Sequence, residues 1–171
     1  MDLNELKYPN GKFKLPPNFS PEVIHGFIKD IEQLPNALRL KSEVMAETQL
    51  DTAYRPGGWT GRQVIHHLAD SHMNAFIRFK LSVTEQGPTI KPYNEVQWAL
   101  LSDSKLPIDS SLQILEGVHV RWTNLLQNFE LADFERFYIH PATESKWTIK
   151  MALALYAWHG KHHLGHLNLI K

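Results

Sequence analysis

Seven of the ten histidines in this 171-residue chain fall in two short segments. His66, His67 and His72 lie in QVIHHLADSHMN, and His159, His162, His163 and His166 lie in YAWHGKHHLGH. Imidazole is the commonest protein ligand for transition metals. The chain has no cysteine, which removes thiolate ligands, disulfides and a cysteine nucleophile. The chemistry these residues point to is metal binding through nitrogen.

Helical geometry at about 100° per residue ranks the candidates. In the last helix Ile149, Ala152, Tyr156, Leu167 and Ile170 share one face. His163 falls in the middle of that face and His159 on its flank. His162 and His166 lie roughly 90° round the helix, nearer Leu155 and Trp158. Both pairs are spaced i, i+4, which stacks two imidazoles within reach of one ion. The His159/His163 pair is favoured because it points further inward. Earlier in the chain the apolar arc is Val64, Ile65, Leu68, Ala75, Phe76 and Phe79. A separate polar stripe holds His67, Asp70, Ser71, Asn74 and Arg78. That stripe reads either as a solvated face or as the wall of a polar cleft with His67 as third ligand. Asp70 is placed to accept from a neighbouring imidazole. His72 lies on the apolar arc and reads as a core histidine, and His66 is open to either role.

The elements that position these residues are helices. Ser20-Pro21-Glu22 is a helix start, with a Ser cap, Pro in the first turn and an acid facing the dipole. The spacing of Ile24, Phe27, Ile28, Ile31, Leu34 and Leu38 carries that helix to about residue 46, with a kink or broken turn expected at Pro35. Thr60 and Gln63 form a capping box for a second helix, which Gly87-Pro88 ends. A short helix is expected over Tyr93 to Leu101. A third long helix opens at Pro107-Ile108-Asp109 and runs to about Phe129, a small hairpin can form between Phe137 and Trp147, and Thr148 caps the last helix. Residues 1–19, with three prolines, read as an extended arm. The expectation is an all-α single domain over residues 1–171, a helical bundle with connections long for a simple up-down bundle.

Composition bounds the function. Eighteen basic residues balance 18 acidic ones and no Lys/Arg run occurs, so no nucleic-acid partner is expected. No apolar stretch is long enough to span a membrane, and the N-terminus lacks the apolar core of a signal peptide. A cytoplasmic protein is the default expectation.

The segment YRPGGWTGRQVIHHLADSHMNAFIRFKL and the later LYAWHGKHHLGHL resemble the DinB-like superfamily, most closely its metal-dependent hydrolase branch with the bacillithiol S-transferases. The resemblance extends to LKYPNGKF, IKPYNE, LQILEGVHVRW and YIHP. It implies an antiparallel four-helix bundle carrying one divalent metal ion, zinc or nickel, on three histidines. By that resemblance His67, directly before the leucine of the first motif, is one ligand, and His159 and His163 form the HxxxH of the last helix. Many superfamily members have glutamine where this chain has His166, which leaves His166 a supporting role.

Three neutral imidazoles with open coordination positions are the pattern of a catalytic metal. Such an ion lowers the pKa of a bound water to about 7 and holds a bound thiol as thiolate. Any attacking sulfur must come from a small thiol co-substrate, since the chain has none of its own. The resemblance points to transfer of a low-molecular-weight, bacillithiol-like thiol to electrophiles. A metal-dependent hydrolase and a non-catalytic metal-binding stress protein are the alternatives. Asn74 and Arg78, with Arg62 and Arg55 nearer the mouth, are candidates to bind a substrate carboxylate. A homodimer is expected by family similarity.

Overall fold

The computed structural model describes residues 2–142 and 144–171. Its elements are α1 (Leu3–Lys7), α2 (Pro21–Glu43), α3 (Glu47–Leu50), α4 (Gly61–Thr84), α5 (Glu95–Trp98), α6 (Asp109–Gln127), β1 (Phe137–His140), β2 (Ser145–Thr148) and α7 (Ile149–Leu169), with 3-10 turns at Ser102–Lys105 and Asp133–Glu135. Ser20, Thr60 and Thr148 cap α2, α4 and α7 through their side chains, and the Thr60/Gln63 box is complete. The two strands pair antiparallel, Phe137 opposite Thr148. Among the described residues no helix is long and apolar enough to cross a membrane.

The bundle is α2, α4, α6 and α7. α2 packs on α6 and α7, and α4 packs on the same two helices, so α2 and α4 are diagonal. Pairings give the directions. His66 meets Ser111 and His72 meets His119, so α4 and α6 run parallel. His67 meets His163 and Arg78 meets Tyr156, so α4 and α7 run antiparallel. Ile31 meets His119 and Arg39 meets Glu116, which makes α2 antiparallel to α6. Parallel neighbours require a crossover. The long 85–108 connection supplies one, which is why the loops exceed those of a simple up-down bundle.

Two differences from the sequence expectation have physical causes. The N-terminal arm is not wholly extended: Asp2 and Glu5 close a capping box on α1. The arm then lies along α7, where Asn10 Nδ2 donates to the Lys161 carbonyl and the Trp158 indole donates to the Gly11 carbonyl. A β-carbon at Gly165 would come within 2.9 Å of Pro9 Cγ, so glycine permits this close approach. Second, α2 does not break at Pro35 but runs on to Glu43.

The core is layered. One apolar cluster holds Ile24, Ile28, Ile31, Phe76, Phe79, Trp122 and Tyr156. The other holds Leu34, Leu38, Ile65, Leu68, Leu112, Leu115 and Leu167. Between the two clusters each of α4, α6 and α7 contributes inward histidines, among them His72, His119, and His159 with His163. Buried polar groups cost free energy unless hydrogen-bonded. A layer of imidazoles across the middle of a bundle is therefore a feature to be explained by function.

Candidate metal centre

His67 from α4 and His159 and His163 from α7 each turn a ring nitrogen to a common point, and the three atoms lie within 4.8 Å of one another. His67 Nε2 and His159 Nε2 are 3.3 Å apart. Tetrahedral nitrogen ligands about 2.0–2.1 Å from zinc sit roughly 3.3 Å from each other, so the His67–His159 pair is spaced as two ligands of a first-row divalent ion. His67 and His163 are buried, and His159 keeps partial exposure. Trp59 covers the other side, with its ring 4.6 Å from that of His67.

Burial holds these imidazoles neutral, the form that ligates. The pKa of His67 is pushed down to about 4 by burial, with His162 and His166 adding to it. Burial and neighbouring imidazoles take His159 and His163 well below the ordinary range.

The polar stripe of α4 does not form one solvated face. His67 and Ser71 are buried. Ser71 and Arg78 line a cleft of about 370 Å³ with Tyr93, Glu95, His140, Tyr156 and His159. Arg78 donates to the Tyr156 hydroxyl at 3.0 Å, and among the described residues no carboxylate is within ion-pair distance of it. Asn74 donates to the Asp70 carbonyl of its own helix and does not line the cleft. Asp70 lies with His66 and Asp103 between α4 and α6, and no hydrogen bond joins its carboxylate to an imidazole among the described residues. Its pKa is raised to about 6 by burial and then by Asp103. Arg62 is buried and bonded to Glu47, Asp51 and the Leu106 carbonyl, a brace between α3, α4 and the loop before α6. Arg55 donates to the Tyr54 hydroxyl and the Pro56 carbonyl.

The remaining histidines divide clearly. His66 bonds Ser111 and the Leu106 carbonyl at the other side of α4. His162 stacks on Trp158, and His166 stacks on Tyr54 while reaching His163 and the Lys7 carbonyl. His72 is fully buried, as the apolar arc implies, yet bonds both His159 and His119. His119 escaped the sequence reading. Its signal is the stripe Leu112, Leu115, His119, Trp122, Leu126, in which a histidine takes an inward position.

These burials set a pH dependence in the metal-free protein. His119 has its pKa lowered to about 4 by burial, against about 6.5 unfolded. The unfolded chain then binds more protons between those values, so the stability from keeping His119 neutral is present above pH 6.5 and lost as pH falls towards 4. Asp70, with a raised pKa, works in the opposite sense over about pH 4 to 6, one group against several imidazoles. The urea midpoint of the metal-free protein is expected to fall between pH 7.5 and 5, and a flat profile would contradict this.

Comparison with known proteins agrees with this architecture. A family model described as the DinB superfamily matches residues 31–167. A Bacillus cereus protein named "Putative metal-dependent hydrolase" is 51% identical over 170 residues, covering 99% of this chain and 97% of that one. A Bacillus anthracis relative with the same description shows the same identity and coverage. Among solved structures, YfiT from Bacillus subtilis, described as a probable metal-dependent hydrolase with an unusual four-helix bundle topology, superposes with a TM-score of 0.93 at 47% identity, covering 96% of this chain and 94% of that one. By the extent of the family match and the identity of these relatives, the chain belongs to the DinB superfamily.

Proposed function

We propose that His67, His159 and His163 hold one divalent ion, zinc or nickel, and that the protein is an enzyme activating a small nucleophile beside the Arg78 cleft. One observation carries this reading: three neutral imidazoles from two helices converge next to a cleft that His159 itself lines. A structural zinc site is closed by a fourth protein ligand, whereas three ligands leave a position for a reactant. A divalent ion held by these three residues would lower the pKa of a water or thiol and would so supply a nucleophile at neutral pH.

The protein's own groups provide the rest. Arg78, with no carboxylate partner among the described residues, offers a fork for a carboxylate-bearing substrate. Tyr156 holds that guanidinium in place. Trp59 packs on His67, and the burial of His67 and His163 between the apolar layers limits their contact with water. Transfer of a small thiol to an electrophile is the reading preferred here, since an ion that binds thiolate needs only a thiol co-substrate and a cleft with a cationic anchor. Hydrolysis is the second reading, favoured by the description of the relatives.

Metal-loaded protein incubated with monochlorobimane and a panel of small thiols is expected to turn over in a thiol-dependent way. Arg78→Ala should raise KM for carboxylate-bearing thiols more than it lowers kcat. Ester or amide hydrolysis without thiol-dependent turnover would reverse the order of the two readings. Neither activity, with metal bound, would leave a metal-binding protein without catalysis.

A further inference from the structure

The histidine layer contains two hydrogen-bond chains, and each ends on a backbone carbonyl that its own helix leaves vacant. The first begins in α2. Pro35 has no N–H, so the carbonyl four residues earlier, that of Ile31, loses its regular helical donor. His119 Nδ1 sits 2.6 Å from that carbonyl oxygen. A carbonyl only accepts, so the proton is on Nδ1, and a neutral imidazole then has Nε2 as an acceptor. His72 Nδ1 is 2.9 Å from His119 Nε2 and must donate to it. His72 Nε2 is left as an acceptor, 3.2 Å from His159 Nδ1, which donates in turn. His159 Nε2 remains, a lone pair facing His67.

The second chain begins in the N-terminal arm. Lys7 is the last residue of α1, and Gly11, four residues on, donates to Tyr8 instead. The Lys7 carbonyl is thus one of the orphans of a helix C-terminus. His166 Nε2 lies 3.1 Å from it and donates, so His166 Nδ1 accepts from His163 Nδ1 at 3.3 Å. His163 is left with Nε2 as its lone pair.

We infer that the Ile31 and Lys7 carbonyls set the tautomers of His159 and His163, through His119 and His72 in one case and His166 in the other, so that both present Nε2 lone pairs before any ion arrives. His72, His119 and His166 are positioning residues. Pro35 is the start of the first chain, which explains why a proline sits inside a continuous helix opposite a buried histidine. The tautomers follow from the hydrogen bonds alone. Only their effect on metal affinity rests on the ligand set proposed above.

The test separates the two. In metal-free protein labelled with ¹⁵N-histidine, long-range ¹H–¹⁵N correlation at pH 7.5 is expected to show Nδ1–H for His72, His119, His159 and His163, and Nε2–H for His166. His159 or His163 as Nε2–H would overturn the inference. His119→Phe is expected to mix the tautomers of His72 and His159, leave His163 unchanged, and weaken zinc binding about 10–100-fold in chelator competition. His119→Gln is expected to rescue both, because its amide N–H can serve Ile31 while its carbonyl accepts from His72. Wild-type affinity and unmixed tautomers in His119→Phe would also overturn it. Expected tautomers with no zinc bound by any variant would leave the relays standing and remove the ligand assignment instead.

Discussion

Replacing His163 with alanine is expected to weaken divalent-metal binding by more than the roughly 10–100-fold that changes outside the ligand shell cost. His163 is central in the cluster: its ring lies 4.5 Å from that of His159 and 4.8 Å from that of His67. Its loss leaves only two of the three converging imidazoles, His67 and His159. Activity should fall with occupancy. His162→Ala is the matched control. It is adjacent in sequence and similarly buried, but it stacks on Trp158 and is not one of the three converging residues. Competition with a chromogenic chelator on both variants checks the claim. Equal loss in both would mean that a general disturbance of α7, not a ligand, is being measured.

The second large effect is on stability. Trp122 is fully buried, with Phe79, Tyr156, His72 and His119 packed edge-on around it at 5.0–5.8 Å. Trp122→Ala is expected to cost about 3–5 kcal/mol, through lost transfer energy and a cavity that the bundle cannot fully close. Total stability of a domain is about 5–15 kcal/mol, so this is a large share, and Tm should fall by roughly 6–20 °C for a chain of this size. Trp122→Phe should cost less. It keeps most of the ring and removes an indole N–H that finds no acceptor among the described residues. Calorimetry on the three metal-free proteins decides this. A drop for the alanine variant no larger than for phenylalanine would show that the layer is not packed as described.

How much of this was legible in the sequence depends on what each signal encodes. Capping is local, so Ser20, Thr60 with Gln63, and Thr148 read correctly. Periodicity shows which way a residue points only where the helix has a clear apolar side. On α7 it favoured His159 and His163 over their neighbours, and these are the two that meet His67. On α4 it was misleading. Polarity suggested a solvated stripe, but α4 is flanked by both α6 and α7, so the stripe is divided among a buried imidazole, a cleft and the α6 side. Spacing within one helix cannot reveal which helix covers it, and only the family resemblance pointed to His67. Pro35 shows the same limit. A proline inside a helix reads as a kink or broken turn, and the spacing does not show that a side chain from another helix occupies the carbonyl it frees. The apolar arc marked His72 as a core histidine, but its partners, like the whole role of His119, lie far away in sequence and were invisible for that reason.

The proposed function rests on the three imidazoles of His67, His159 and His163. The most direct measurement is elemental analysis of untagged protein together with X-ray absorption at the edge of the bound metal, on the wild type and on His67→Ala. The result expected is about one equivalent of a divalent ion with three imidazole nitrogens in the wild type, and loss of that ion or of one imidazole in the variant. No bound ion, or a shell of imidazoles unchanged when His67 is removed, would contradict it.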